Sequence, residues 1–280
     1  MSQTPRRRAL ARSVVLDRAL EALPLFRLSD SGEEVAITYA SDGGGRWRVL
    51  PAPGERLPGT FDQDVYVELL RRYHEAEAPP DGTLSFTLHD FLRTMGRRVD
   101  GRTYEQLRSA LNRLQRTALE STDAWFDASA GARWTGQFTI LNSVSIDRRR
   151  LSDRDQLGLF NSLTNNEPGD AHVTIASPIR ANIAAGHTIT LSAARYSQLS
   201  SPVARRLYRV LQVARDEGGK MWEIPLERLA EQLPLTQRYP SHLQRVLQPA
   251  HEMLLAAGVL RGAVIAQHDK TWTVTYQLVE

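Results

Sequence analysis

Two distant stretches of this chain carry the same run of apolar positions. In the first run, Phe86, Leu88 and Leu92 correspond to Ile224, Leu226 and Ala230, each 138 positions downstream. In the helix-like run that follows, Leu107, Ala110, Leu111 and Leu114 correspond to Leu243, Val246, Leu247 and Ala250, each 136 positions downstream. Because the offset is nearly constant, the pattern predicts an internal duplication of one supersecondary unit, although two copies are too few for a solenoid.

The predicted elements follow one order in both copies. That order is helix, short strand, helix, helix and β-hairpin, which is the order of a winged-helix domain. In the first copy the strand-like runs LESTDAWFD and QFTILNSVSI are predicted to form the hairpin, and in the second copy GVLRGAVIAQ and TWTVTYQLV do so. The predicted fold class is α+β, with two tandem winged-helix (helix-turn-helix) domains related by internal duplication.

The chain divides into four predicted regions. Residues 1–59 contain a basic arm and a β-hairpin, in which EVAITYA and RWRVLP flank the glycine-rich turn SDGGG. Residues 60–145 are the first winged-helix domain, and residues 200–280 are the second. Residues 146–199 are predicted as a strand-helix-strand linker, with HVTIAS and HTITLS on either side of PIRANIAAG. The arm's arginines are interpreted either as phosphate contacts or as a frayed basic terminus.

The stretch 85–119 has the pattern of a short helix, an arginine-bearing turn and a longer helix. Its apolar positions make one buried stripe: Tyr104, Leu107, Leu111, Leu114 and Ala118. The turn and the opposite face carry side chains that hydrogen-bond base edges and phosphates: Arg97, Arg98, Arg102, Thr103, Gln106, Ser109, Asn112, Arg113 and Arg116. Residues 97–118 hold six arginines against Asp100 and Glu105. This face is typical of a DNA-binding helix, and equally of a solvated amphipathic helix.

The second copy has its own candidate DNA-binding helix, which is less basic. Its predicted contact residues are Arg238, Tyr239, Ser241, His242, Gln244, Arg245 and Gln248. Pro249 lies inside this helix and is predicted to kink or break it. The two predicted wings add Arg133, beside Trp134, in the first copy and Lys270 in the second, where they can reach phosphates or the minor groove.

Several kinds of chemistry have no support in the sequence. The chain has no cysteine, no phosphate-binding loop and no closely spaced histidine pair, so we expect no enzyme activity, no cofactor and no metal site. Asp62 and Asp64 are explained by capping at the start of a helix, with Asp62 as the expected N-cap. No apolar run is long enough to span a membrane, and the absence of cysteine agrees with a cytoplasmic protein.

About residues 45–260 resemble the replication initiator protein A family of plasmids and secondary replicons. The motifs that carry the resemblance most specifically are GRTYEQLRSAL at 101–111 and ARRLY at 204–208. The resemblance implies two winged-helix domains that bind repeated sites at a replication origin, homodimerisation through a winged-helix domain, and contacts with host replication proteins.

The function predicted from these features is sequence-specific binding of double-stranded DNA by a replication initiator. Two helices in major-groove faces one turn apart cover direct repeats (iterons) of about 20 base pairs at a plasmid or secondary-chromosome origin. The alternative is a winged-helix transcriptional regulator that binds an operator, because one fold serves both functions.

Overall fold

The computed structural model describes residues 13–28, 36–41, 43–146 and 170–279, so the predicted basic arm lies outside the described residues. The N-terminal region contributes four short elements, which are β1 (Ser13–Asp17), α1 (Arg18–Glu21), β2 (Ile37–Ala40) and β3 (Arg46–Leu50). β2 and β3 pair in an antiparallel register, with Tyr39 opposite Trp47. This pairing confirms the predicted hairpin at SDGGG.

The first half of the molecule follows. Its elements are α2 (Thr60–Glu75), β4 (Thr83–Thr87), α3 (Leu88–Thr94), α4 (Gly101–Arg116), β5 (Ala118–Asp127), β6 (Ala132–Phe138), β7 (Leu141–Ile146) and β8 (Asp170–Ile175). α4 packs against both α2 and α3, so the helix pair predicted between residues 85 and 119 is present.

The second half begins after β8. Its elements are α5 (Ser177–Ala184), β9 (Thr188–Ser192), α6 (Ala193–Gln198), α7 (Pro202–Asp216), β10 (Met221–Pro225), α8 (Leu226–Gln232), α9 (Pro240–Ala256), β11 (Leu260–His268) and β12 (Thr271–Leu278). β11 and β12 form the predicted closing hairpin. Among the helices described, none has the length and apolar character that a membrane span requires.

The two halves use the same sheet topology. β8 lies between β4 and β7 in the first half, and β12 lies between β10 and β11 in the second, with every pair antiparallel. Each hairpin also has a register shift at its start, between Leu141 and Ser143 in one and between Leu260 and Gly262 in the other. Such an irregularity bends and twists a strand locally, so the two hairpins share a local distortion as well as the same strand order.

The hairpin beside the helices of the first half is not the one predicted. β5 and β6 pair with each other, but β5 also pairs with β3, which places both in a four-stranded sheet of order β2-β3-β5-β6. The hairpin that adjoins β4 consists of β7 and β8. The predicted boundary at residue 145 and the assignment of β8 to a linker are therefore wrong, because β8 is the middle strand of the first half's sheet.

Aromatic packing explains why β5 and β6 join the other sheet. The ring of Phe138 lies 5.2 Å from that of Trp125, 5.8 Å from that of Trp134 and 6.2 Å from that of Trp47, measured between centroids. Trp47 and Trp125 are fully buried. Aromatic side chains bury large apolar areas, so a cluster of four stabilises the pairing of β3 with β5. Arg133 and Trp134, predicted in a wing loop, belong to strand β6 of this sheet.

The N-terminal elements β1 and α1 lie between the two halves. β1 pairs with β9, and α1 ends at Glu21, whose side chain is fully buried. The Glu21 carboxylate accepts hydrogen bonds from Tyr66 of α2 at 2.9 Å and from Arg206 and Arg209 of α7 at 3.0 Å. One N-terminal carboxylate thus connects the first half to the second.

Candidate nucleic-acid interface

The N-terminus of α4 is held by a capping box. The carboxylate of Asp100 accepts a hydrogen bond from the backbone N–H of Thr103 at 2.9 Å, and Thr103 Oγ1 accepts one from the N–H of Asp100 at 3.1 Å. These bonds satisfy backbone donors that a helix start leaves free, and the bond from Thr103 lowers the pKa of Asp100. Thr103 therefore stabilises the start of the helix, a role that the sequence prediction did not assign to it.

The buried stripe of α4 is largely as predicted. Leu107, Leu111 and Leu114 are fully buried, and Tyr104 is half-buried against the same core. Ala118 lies beyond the helix, which ends at Arg116, and is the first residue of β5. The stripe fixes the rotation of α4, so its opposite face points away from the core.

The exposed part of that opposite face begins in the turn before α4 and covers its first two turns. The predicted contact residues exposed there are Arg97, Arg98, Arg102, Gln106 and Ser109. Arg98 lies 3.4 Å from the carboxylate of Asp100. The side chains of Arg102, Gln106 and Ser109 make no hydrogen bond or ion pair with any other described residue. A ligand can therefore contact these three side chains without breaking an interaction within the described part of the chain.

Two of the predicted DNA-binding arginines instead pair with carboxylates of α2. Arg97 donates to Asp64 at 2.6 Å, and Arg113 donates to both oxygens of Asp62 at 2.9 and 3.2 Å. The Asp62 side chain is only 4% exposed and that of Arg113 only 19%. Burial raises the pKa of Asp62, while the guanidinium of Arg113 opposes that rise. Arg113 therefore joins α4 to α2, a packing role that competes with DNA contact.

Asp62 caps α2 in a different position from the one predicted. The N-cap residue is Gly59, and its backbone N–H donates to the carboxylate of Asp62 at 2.8 Å, three positions along. Asp64 accepts from Arg205 of α7 as well as from Arg97. No group of three or more potential metal-ligating side chains occurs among the described residues.

The last turn of α4 contacts the segment between β3 and α2. Asn112 donates to the carboxylate of Glu55 at 3.3 Å, and Arg116 forms an ion pair with the same carboxylate. Asn112 and Arg116 are nevertheless exposed. Near the N-terminus of α4, Arg102, Gln106 and Ser109 thus have no side-chain partner among the described residues, whereas Asn112, Arg113 and Arg116 are already bound to acidic side chains.

The second candidate helix, α9, exposes most of its predicted contact residues. Arg238, Tyr239, Ser241, His242, Arg245 and Gln248 are exposed, whereas Gln244 is half-buried. Tyr239 is 69% exposed and contacts the ring of His242 edge-on at 5.7 Å between centroids. Gln248 donates to Glu252 at 2.9 Å. α9 continues through Pro249, so the proline does not break the helix.

The two hairpin residues predicted to contact DNA lie in different environments. Lys270 is exposed in the turn between β11 and β12, as predicted. Arg133 lies in the four-stranded sheet, and its guanidinium donates to the backbone oxygens of Asp123 at 3.3 Å and Ala124 at 3.2 Å. The prediction that Arg133 is part of the first wing is therefore wrong.

A comparison of the sequence with known families decides what kind of protein presents these helices. Residues 16–253, which extend from the end of β1 through α4 to most of α9, match the sequence model of the family described as Replication initiator protein A. The chain belongs to this family. No curated protein sequence matches the chain significantly.

Two solved structures are similar to this replication initiator protein A family member over most of their length. A crystal structure of domains 2 and 3 of RctB matches with a TM-score of 0.54 and 10% identity, covering 91% of this chain and 94% of the other. The Pi initiator protein, solved in complex with iteron DNA, matches with a TM-score of 0.52 and 12% identity, covering 97% of this chain and 99% of the other. At these identities the likeness concerns the fold alone.

The structure also explains part of the family resemblance. The motif at 101–111 forms the first part of α4, and the motif at 204–208 lies in α7 and includes Arg206 and Tyr208, both fully buried. The sequence prediction missed the buried role of Arg206 and Arg209. A signal was present in the helical spacing: Arg206 lies three positions after Val203 and four before Val210, and Arg209 lies three positions after Arg206 and four before Val213.

Proposed function

We propose that this protein is a replication initiator that binds double-stranded DNA at direct repeats in an origin of a plasmid or secondary chromosome. The family match over residues 16–253 carries this proposal. The exposed polar faces of α4 and α9 support it, because a helix that follows a turn and presents Arg, Gln, Ser and His to solvent has the side chains that base edges and phosphates accept. The Pi initiator, whose fold is similar, was solved bound to iteron DNA.

The proposed architecture is a tandem pair of winged helices derived from one duplicated unit. The shared sheet order, the shared register shift in each hairpin and the matched buried positions support that origin. In this arrangement α4 and α9 enter successive major-groove faces, which lie about 10 base pairs apart and together cover about 20. β7 with β8 and β11 with β12 are the proposed wings, and Lys270 is the proposed phosphate contact of the second.

Within α4, the proposal assigns base contacts to the exposed residues near the N-terminus. Arg102, Gln106 and Ser109 make no side-chain interaction with any other residue that the structure describes, and recognition helices contact base edges mainly through their N-terminal residues. In α9 the exposed predicted contact residues of the first two turns are Ser241, His242 and Arg245. Tyr239 precedes them and offers an aromatic ring for a thymine methyl group.

We further propose that the protein itself carries out no catalytic step and acts in the cytoplasm by binding DNA. Its other partners are a second copy of the chain, forming a homodimer, and the host replication proteins that an initiator recruits. Size-exclusion chromatography with light scattering, with and without duplex DNA, measures whether the free and the bound protein differ in oligomeric state.

Footprinting of the purified protein on the DNA that flanks its gene tests the proposed function. Protection of several direct repeats of about 20 base pairs next to an AT-rich segment is the expected result. Protection of one inverted repeat over a promoter identifies a transcriptional regulator instead. Loss of protection when one repeat is scrambled, with the neighbouring repeats still protected, shows that recognition is specific to sequence.

A further inference from the structure

The segment between β3 and α2 holds one acidic side chain in a defined place. Ala52, Pro53, Gly54 and Glu55 form a tight turn, in which the N–H of Glu55 donates to the oxygen of Ala52 at 2.9 Å. Proline at the second position and a glycine with a φ of +75° at the third match the requirements of a type II turn. Proline fixes φ at the second position and glycine allows the positive φ at the third, so the turn forms readily and holds Glu55 in place before any ligand arrives.

The carboxylate of Glu55 lies on the predicted DNA-binding face of α4. It pairs with the guanidinium of Arg116 and accepts a hydrogen bond from the amide of Asn112 at 3.3 Å. The Arg116 side chain is still 50% exposed, and that of Glu55 is 20% exposed. The pair therefore lies at the surface, where solvent and DNA can reach it.

A guanidinium recognises carboxylate and phosphate oxygens through the same planar, charged hydrogen bonds. We propose that Glu55 occupies the site of a DNA phosphate on Arg116 and Asn112, so that a duplex has to displace it before the C-terminal part of α4 can bind. This role rests on the proposed function. Its effect is to weaken electrostatic binding to DNA of any sequence.

The neighbouring carboxylate of Asp62 does not share this role. Asp62 is bonded to both the Arg113 guanidinium and the backbone of Gly59, and it is almost completely buried. If DNA took Arg113 from Asp62, the carboxylate would be left as an unpaired charge in surroundings without water. Displacing Asp62 therefore costs much more free energy than displacing Glu55. Surface ion pairs such as that of Glu55 are worth little in stability and exchange partners readily.

The test compares Glu55→Gln with wild-type protein in binding to a random duplex of about 40 base pairs and to the direct-repeat duplex, over about 50 to 200 mM salt. Glu231→Gln is the matched control, because Glu231 also pairs with an arginine, Arg228 of α8, and the substitution changes net charge equally. We expect Glu55→Gln alone to bind the random duplex about three- to tenfold more tightly, with a salt slope steeper by about 1.

A double-mutant cycle locates the effect. In an Arg116→Ala background the substitution Glu55→Gln is expected to change affinity no more than Glu231→Gln does, because the freed cation is absent. If Glu55→Gln binds the random duplex no more tightly than wild type, the proposed role of Glu55 is wrong, while the proposed function stands. Weaker binding by Glu55→Gln means that Glu55 orients Arg116 for DNA. Failure of the wild type to bind the direct-repeat duplex overturns the proposed function and this role together.

Discussion

At the residue scale, the internal partners of the arginines on α4 separate DNA contact from packing. Arg102 has no side-chain partner among the described residues, so we expect Arg102→Ala to weaken binding to the direct-repeat duplex by about 1–3 kcal/mol, more than binding to a random duplex, without changing stability. Arg113→Ala leaves the buried carboxylate of Asp62 unpaired, so we expect it to lower the free energy of unfolding by about 2 kcal/mol.

Fluorescence anisotropy with both duplexes and urea unfolding of both variants measure these effects. Equal stability of Arg113→Ala and wild type contradicts the packing role of Arg113. Equal losses of affinity for the direct-repeat and the random duplex in Arg102→Ala contradict a base contact by Arg102.

A buried histidine in the second half makes stability depend on pH. His251 of α9 lies 2.9 Å from the hydroxyl of Tyr276, and burial lowers the pKa of His251 from 6.5 to about 4. Between these two values the unfolded chain binds a proton that the folded chain does not, so this residue's contribution to stability is lost as the pH falls from 6.5 towards 4. His251→Gln keeps a hydrogen-bonding side chain beside Tyr276 and does not titrate.

We therefore expect the free energy of unfolding of His251→Gln to decrease less than that of wild type on acidification. Urea unfolding at several pH values from neutral to about pH 4 measures the difference. Parallel pH profiles for the two proteins are the result that rules out a titrating His251.

At the scale of an element, the start of α4 determines how rigidly its exposed residues are presented. Asp100→Ala removes the acceptor for the N–H of Thr103 and is expected to lower the free energy of unfolding. Because Arg102 lies in the turn that frays, DNA affinity is expected to fall as well. Asp100→Asn is the matched control, since asparagine also caps helices.

The comparison of Asp100→Ala with Asp100→Asn isolates the cap from the charge. We expect Asp100→Asn to retain most of the stability and affinity, measured by thermal unfolding and anisotropy. Similar losses in both variants indicate that the negative charge of Asp100, rather than the cap, is the important feature.

At the scale of the whole molecule, the relative placement of the two halves depends on a buried ionic cluster. Glu21 is fully buried between Tyr66 of the first half and Arg206 and Arg209 of the second. Glu21→Gln leaves two buried guanidinium groups without a counter-charge, so we expect a loss of about 3–5 kcal/mol in the free energy of unfolding. The exposed pair of Arg228 and Glu231 is the control, and Glu231→Gln is expected to change stability by less than about 1 kcal/mol.

Urea unfolding of the two variants tests this difference. Equal, small losses mean that the cluster does not hold the halves together. A large loss for Glu21→Gln accompanied by weaker binding to the direct-repeat duplex indicates that the spacing of α4 and α9 depends on the same contacts.

Local patterns in the sequence were sufficient to predict the helices and the hairpin of the second half. The stripe of Leu107, Leu111 and Leu114 recurs with the period of a helix, so the rotation of α4 and its exposed face follow from short-range spacing alone. The matched positions in the two copies predicted two similar units for the same reason, and the replication initiator protein A motifs identified the family before any tertiary contact was known.

Only the tertiary structure decided which strands share a sheet and which charged residues are free. Strand pairing joins residues far apart in sequence, so the strand-like run of β5 did not reveal that β3 is its neighbour or that β8 completes the first half's sheet. The partners of Arg97, Arg113 and Arg116 are equally distant, in α2 and in the turn at Glu55. Sequence spacing thus determined the face on which these arginines lie, whereas long-range packing determined which of them are already bound.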